Sequence, residues 1–217
     1  MSLASPLTPA AVALHPHVTP VSGLLGVWNG VGKGSYPTLS SSFGYEEELH
    51  YAQSGKIFVS YTQRTWMVGT DRTKPMHEEN GFLRFLPNQR VEALITQCTG
   101  VQEILLGTWA KDEAKESITI TLDSTGLTRI PSAKPPAVTQ TRRIYTFDLD
   151  GETLSYTILM ATTKTPELTV HLTGEHTRAQ PKPVAEHDEA EEEKLDNTFI
   201  EHQPDTLNSV PVATQTQ

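Results

Sequence analysis

The fold is decided by one glycine-rich stretch, Gly26-Val27-Trp28-Asn29-Gly30-Val31-Gly32-Lys33-Gly34-Ser35-Tyr36-Pro37-Thr38. Glycine is normally unfavourable inside a strand, so glycines at two-residue spacing predict a strand face that another backbone or a ligand approaches closely. A phosphate-binding loop would need a helix after the glycines, but Tyr36, Pro37 and a run of serines follow them. The stretch therefore predicts the opening strand of a small β-barrel and argues against a nucleotide site.

Beyond this stretch, the residues in the centre of the chain are those typical of β-strands. Segments rich in β-branched and aromatic residues alternate with short polar or glycine-bearing breaks, and they cover 56–66, 80–86, 91–97, 100–109, 117–122, 142–148, 153–161 and 167–177. Asp150-Gly151 is a hairpin signal, because glycine supplies the positive φ of a primed turn. We expect an all-β, about ten-stranded antiparallel up-and-down β-barrel. A sandwich stays open, because the interval 123–140 could supply a crossing connection.

Length and charge predict one domain with two flanking segments. The 217 residues suffice for a single domain of ordinary size. We expect it at 18–179, after a disordered, proline-broken segment at 1–17 and before an acidic disordered tail at 180–217. The apolar run 18–25 would form a helical turn at one barrel end. The net charge of the chain is −9, and the tail contributes most of it through nine acidic residues against two lysines. The barrel is therefore close to neutral and offers no broad basic surface for nucleic acid.

The cysteine content and the N-terminal stretch bear on the compartment. Cys98 is the only cysteine, which excludes a disulfide within the chain and favours a reducing, cytoplasmic setting. The stretch before Lys33 lacks both the basic start of a secretory signal and the unbroken apolar length of a membrane span. We therefore expect no membrane partner. No hydrophobic stripe marks an interface with a second copy, and the oligomeric state stays open.

Several short motifs stand in order through 22–178. They are Leu24-Leu25-Gly26-Val27-Trp28-Asn29-Gly30-Val31-Gly32, Tyr36-Pro37-Thr38, Tyr61-Thr62-Gln63-Arg64-Thr65-Trp66, His77-Glu78-Glu79-Asn80-Gly81-Phe82-Leu83-Arg84, Thr99-Gly100-Val101-Gln102-Glu103, Ala133-Lys134, Arg143-Ile144-Tyr145, Met160-Ala161 and His171-Leu172-Thr173. The series resembles the nitrobindin family. The resemblance implies a barrel shaped like the lipocalins and fatty-acid-binding proteins that holds haem b through one histidine, binds nitric oxide and isomerises peroxynitrite to nitrate at ferric iron.

The resemblance also assigns three residues to the haem site. His171 matches the family's axial iron ligand, and neutral imidazole is a good iron donor. Thr38 would lie near the mouth of the site, and Lys134 would pair with a haem propionate or attract an anionic substrate. Without the resemblance these residues are a packed or solvated histidine, a turn threonine and a surface lysine.

The strand around His171 leaves its orientation open. Thr173 shares the face of His171 in an ideal strand, whereas Leu172 and, five positions on, His176 lie on the opposite face. A haem in the interior requires the face of His171 and Thr173 to be the inner one. His176 would then point outward.

Other chemically suggestive residues have structural explanations. A buried tryptophan such as Trp28 is typical of core packing. Cys98 has no histidine and acid at the spacing of a nucleophilic site, and a strand thiol usually packs as a small apolar residue. The clusters Glu46-Glu47-Glu48 and Glu78-Glu79 fit neither a transition-metal site nor a calcium loop. We interpret them as solvated strand ends.

A carrier of a fatty acid or another small apolar ligand is the alternative function, because the same closed barrel can enclose a lipid. Such a carrier would bind the carboxylate through an inward cation or hydroxyl. Arg143 and Tyr145 could supply these groups, because residues two apart share a strand face.

Overall fold

The computed structural model describes residues 12–36 and 41–180. Its strands are β1 Gly26–Gly34, β2 Phe43–Gln53, β3 Phe58–Met67, β4 Pro75–Phe85, β5 Arg90–Gln97, β6 Val101–Asp112, β7 Ser117–Arg129, β8 Val138–Asp148, β9 Thr153–Thr162 and β10 Thr169–Arg178. Every strand pairs antiparallel with its neighbour in sequence, and β1 pairs with β10 to close the barrel. Closure leaves no free sheet edge. The predicted ten-stranded up-and-down barrel is confirmed.

Two details of the strand prediction change. The interval 123–140, which could have supplied a sandwich crossing, contains the end of β7, a loop at 130–137 and the start of β8. Strands β7 and β8 pair with each other. Strand β2 was not among the predicted strands, because its acidic centre resembles a solvated segment. It alternates between inward and outward side chains, so Glu47 is buried while Glu46 and Glu48 face outward.

A 3₁₀ helix, Thr19–Leu24, covers one end of the barrel, as the apolar run predicts. Val21 and Leu24 of this helix are buried in the core. The indole Nε1 of Trp28 donates a hydrogen bond to the Leu24 carbonyl at 2.9 Å, and the Arg178 guanidinium lies 4.5 Å from the indole ring centroid. The packing role expected for Trp28 is confirmed, and this end of the barrel is closed.

The glycines of β1 permit close packing inside the barrel, as their spacing predicts. A Cβ atom on Gly30 would collide with the His176 ring, and one on Gly32 would collide with the Tyr45 ring. At Gly34 the same atom would meet the ring of Phe43. Each glycine thus makes room for an aromatic ring from a neighbouring strand.

The N-terminal boundary and the tail are described only in part. Leu14, which belongs to the segment expected at 1–17, packs against the core of the barrel. Residues 1–11 and the acidic segment 181–217 lie outside the described residues. Within the described part of the chain, no helix has the length and apolar character needed to cross a membrane.

Candidate functional site

His171 lies at the barrel end opposite the 3₁₀ helix, near the start of β10. Its Nδ1 lies 2.8 Å from the carbonyl oxygen of Ser35, just beyond the end of β1. The backbone is joined at the same point, because the Ser35 amide donates to the His171 carbonyl at 2.8 Å. Two hydrogen bonds to one residue thus fix both the position and the ring orientation of the histidine.

The hydrogen bond to Ser35 also determines the tautomer of His171. A carbonyl oxygen can only accept, so Nδ1 carries the proton and Nε2 keeps a lone pair. No described residue forms a hydrogen bond with Nε2. Burial lowers the pKa of the imidazole, and this effect outweighs the opposing hydrogen bond to Ser35. His171 therefore presents a neutral, oriented nitrogen donor, which is the form that binds a metal.

A β-bulge at His171 corrects the expected alternation of β10. The pairing of β10 with β9 shifts between Val170 and Leu172, so one extra residue is inserted at this point. Beyond the bulge Leu172 packs against the core and Thr173 is exposed, the reverse of the arrangement expected for an interior haem. Both His171 and Leu172 can thereby contribute to the inner side of the strand.

The same shift brings His176 into the barrel, so its expected outward orientation is wrong. His176 is buried, its Nε2 lies 2.6 Å from Glu47, and its ring stacks on Tyr156. Glu47 also accepts hydrogen bonds from Tyr156, at 3.0 Å, and from Gln63. With Nε2 engaged by a carboxylate, His176 is a member of the internal hydrogen-bond network and is a poorer candidate for iron ligation than His171.

A buried ionic cluster crosses the middle of the barrel. Arg143 donates to Glu103 at 2.7 and 3.1 Å and to both carboxylate oxygens of Glu79. Burial is the largest single effect on Glu79 and would raise its pKa, but the charge and hydrogen bonds of Arg143, together with those of His77, jointly outweigh burial and hold that pKa below its ordinary value. The charges of Glu103 and Glu79 likewise raise the pKa of Arg143 in spite of its burial. In this cluster one guanidinium is shared between two buried carboxylates, so every charged group has a partner.

Glu47 and Glu79 therefore contradict the interpretation of the acidic clusters as solvated strand ends. Both are almost completely buried, whereas their sequence neighbours Glu46, Glu48 and Glu78 are not. The strand period of two places alternate members of each cluster inside the barrel. Once Glu47 is assigned to a strand, this period of two predicts from the sequence alone that Glu47 faces the opposite side from Glu46 and Glu48.

The wall beside His171 is apolar and aromatic. The Tyr36 ring meets the His171 ring edge to face at a centroid distance of 4.4 Å, and the Tyr36 hydroxyl lies 4.0 Å from the Met160 sulfur. Ile158, paired with Leu172 across the two strands, is buried nearby. This lining suits a flat apolar ligand.

The structure describes only one of the two other residues assigned by resemblance. Thr38 lies outside the described residues. Lys134 is exposed on the loop at 130–137, where its carbonyl oxygen accepts a hydrogen bond from Arg129 at 3.3 Å. This loop follows β7 at the same barrel end as His171, and Lys164 is exposed there in the turn between β9 and β10.

Three residues near this end escaped the sequence analysis as a group. Cys98 is exposed in the turn between β5 and β6, not packed in a strand as expected. Its sulfur lies 3.8 Å from Nδ1 of His77, and Nε2 of His77 lies 3.4 Å from Glu79. Only the pairing of β4 with β5 brings them together, since Cys98 and His77 are 21 positions apart.

The residues present fit haem. The described residues include no cluster of three or more His, Cys, Asp or Glu side chains that could hold a bare metal ion. Haem brings its own equatorial nitrogens and needs one axial protein ligand, which a neutral His171 with a free Nε2 can supply. Its macrocycle would lie against the apolar wall of Tyr36, Met160 and Leu172.

Comparison with known proteins agrees with this fit. A family model described as "THAP4-like, heme-binding beta-barrel domain" matches residues 17–178. A peroxynitrite isomerase of Streptomyces griseus is 38% identical over 174 residues, 79% of this chain and 89% of that protein. An Arabidopsis thaliana protein named peroxynitrite isomerase Rv2717c is 39% identical over 153 residues, 70% of this chain and 84% of the relative. The crystal structure of Rv2717c from M. tuberculosis covers 77% of this chain and 100% of its own, with 36% identity and a TM-score of 0.69.

Proposed function

The chain belongs to the family of THAP4-like, haem-binding β-barrel domains, the nitrobindin family that its motifs resemble, and from this we propose that it is a haem-dependent peroxynitrite isomerase. The observation that carries the proposal is the hydrogen bond from Nδ1 of His171 to Ser35, which leaves Nε2 as a free, oriented donor. When bound, haem b supplies the redox-active iron at which peroxynitrite is converted to nitrate.

The protein contributes ligation, orientation and exclusion of water. His171 would hold the iron through Nε2, while the Ser35 carbonyl accepts the Nδ1 proton and thereby increases the donor strength of the imidazole. Tyr36 and Met160 form an apolar wall that keeps water from the reacting atoms. No general base is needed, because the isomerisation changes no proton count. We further propose that nitric oxide would bind at the same haem iron, with His171 as the residue that holds the haem.

Charged residues at the open end would assist anionic ligands. We propose that Lys134 pairs with a haem propionate or draws peroxynitrite towards the site, which its exposed position at this barrel end supports. Thr38 is proposed to line the mouth of the site on the resemblance alone. The haem-binding unit is proposed to span 18–179, between the segments 1–17 and 180–217, and the free thiol of Cys98 supports a cytoplasmic setting.

The ionic cluster argues against the alternative of a fatty-acid carrier. Arg143 and Tyr145 do face the interior, as expected. However, the Arg143 guanidinium is already paired with two carboxylates and also donates to the Tyr145 hydroxyl at 3.3 Å. A fatty-acid carboxylate would have to displace an internal ion pair to reach Arg143, so this guanidinium is not free to recognise it.

Haem titration of the full chain, followed by the Soret absorbance, tests the proposal. His171→Ala should weaken haem binding by more than about tenfold and abolish nitrate formation beyond the uncatalysed rate. The matched control His17→Ala removes an imidazole at the closed end and should change neither. Added imidazole should restore the Soret band in His171→Ala. Lys134→Ala should lower the rate at low ionic strength, whereas Lys115→Ala, at the closed end, should not.

Unchanged haem affinity in His171→Ala would show that another residue ligates the iron. Tight haem binding without accelerated nitrate formation would keep the haem site but reject the isomerase activity.

A further inference from the structure

The exposed thiol of Cys98 lies in a Cys-His-Glu arrangement at the His171 end of the barrel. The Cys98 sulfur is 3.8 Å from Nδ1 of His77, and Nε2 of His77 is 3.4 Å from Glu79. The backbone amide of Glu78 donates to the same sulfur at 3.2 Å. The order of thiol, imidazole and carboxylate is the order found in activated cysteine nucleophiles, whose distances are often longer without a bound substrate.

The surrounding structure holds this arrangement in place. Glu79 is buried and fixed by Arg143, so its carboxylate cannot turn away from His77. The backbone amide of Cys98 donates a hydrogen bond to the Glu78 carbonyl at 2.8 Å, which holds the turn that carries Cys98 against β4. The imidazole can therefore take the thiol proton while the carboxylate orients the ring, and the Glu78 amide can donate to the sulfur anion.

Both carboxylates nearest the thiol are paired with an arginine. The Glu78 carboxylate is paired with Arg64 at 2.9 and 3.0 Å, which offsets the negative charge nearest the sulfur. Glu79 is paired with Arg143, which it shares with Glu103. A small anionic or neutral peroxide can therefore approach the exposed sulfur without strong electrostatic repulsion.

We propose that Cys98, with His77 as its base and Glu79 as the orienting carboxylate, is a second peroxynitrite-consuming site that works without haem. The sulfur attacks the terminal peroxide oxygen of peroxynitrite, a sulfur–oxygen bond forms, the oxygen–oxygen bond breaks, and nitrite leaves with its electron pair. The thiol proton, held by His77, passes to the transferred oxygen and gives a sulfenic acid. Sulfur is oxidised by two electrons and the peroxide is reduced by two. The proposal rests on the proposed function only for the identity of the oxidant.

The experiment treats the full chain with one equivalent of peroxynitrite and traps sulfenic acid with dimedone. Mass spectrometry of the Cys98 peptide and ion chromatography of nitrite and nitrate are the readouts. We expect dimedone labelling at Cys98 together with nitrite above the buffer background, and neither in Cys98→Ser. His77→Gln should slow labelling by about tenfold or more. The matched control His17→Gln should leave the labelling rate unchanged.

The two activities separate in the variants. His171→Ala should lose haem-dependent nitrate formation and keep Cys98 labelling, whereas Cys98→Ser should keep nitrate formation. Absence of labelling in the wild-type chain, or equal labelling rates in the wild type and His77→Gln, would overturn the proposal and leave the haem activity untouched. Iodoacetamide alkylation, measured separately, should show the same dependence on His77.

Discussion

Replacement of Arg143 by methionine is the most direct test of the buried ionic cluster. Arg143 is only 2% exposed and is hydrogen bonded to two carboxylates that are equally buried. Methionine fills a similar volume but leaves Glu79 and Glu103 without their cation. Removing one partner of a buried ion pair costs about 3–5 kcal/mol. Since a domain is typically stable by about 5–15 kcal/mol, a large part of the stability should disappear.

Chemical denaturation at neutral pH measures this loss, and the neighbouring residue supplies the control. Arg142 lies on the outer face of the same strand, where it pairs with Asp123 and is 44% exposed in its side chain. Arg142→Met should cost no more than about 1 kcal/mol. Similar losses in the two variants would refute the argument that burial makes the Arg143 cluster costly to break.

The pH dependence of Arg143→Met supplies a second check. In the wild type the pKa of Glu79 is lowered on folding, so its contribution to stability is present above the unfolded pKa and is lost as the pH falls. In the variant the uncompensated, buried carboxylates should have raised pKa values, so their penalty grows as the pH rises. The stability difference between wild type and variant should therefore shrink from pH 7 towards about pH 5. A difference that is constant or larger at low pH would contradict the assignment.

Two further predictions concern the proposed haem ligand, His171, and the glycine strand. Because burial lowers the pKa of His171 below its ordinary value of 6.5, haem affinity should be constant from about pH 8 to about pH 6.5 and weaken only at lower pH. A Soret titration at each pH measures this affinity. A decline that begins above about pH 7 would contradict a neutral imidazole ligand. Gly32→Ala should cost about 1–3 kcal/mol in thermal or chemical denaturation, because its Cβ would collide with the Tyr45 ring. Gly44→Ala, whose Cβ would stand 3.5 Å from Val68, is the control and should change stability by less than about 1 kcal/mol.

Much of the fold could be predicted from the sequence, because strands and turns depend on the local periodicity of the residues. Alternate glycines in β1, the β-branched segments and the apolar run that became the 3₁₀ helix each report on a few consecutive residues. The ordered motifs indicated His171 through the family resemblance. In the structure the Nδ1 of His171 is hydrogen bonded to the Ser35 carbonyl, which leaves Nε2 available as a donor. Strand β2 was missed because Glu47 is as polar as its solvated neighbours and only its alternation distinguishes it.

The sequence by itself determined an all-β chain of about ten strands and favoured a barrel over a sandwich, because strand period is a property of neighbouring residues. Its ordered motifs added a candidate histidine through the family resemblance. Only the tertiary structure decided which way that histidine points, because the bulge at His171 arises from the pairing of β10 with β9 and reverses the inner face beyond it. It also decided that Glu79 is paired with Arg143 and that Cys98 contacts His77. These contacts join residues far apart in the chain, and interstrand register, which hydrogen bonding across the whole barrel sets, is what brings them together.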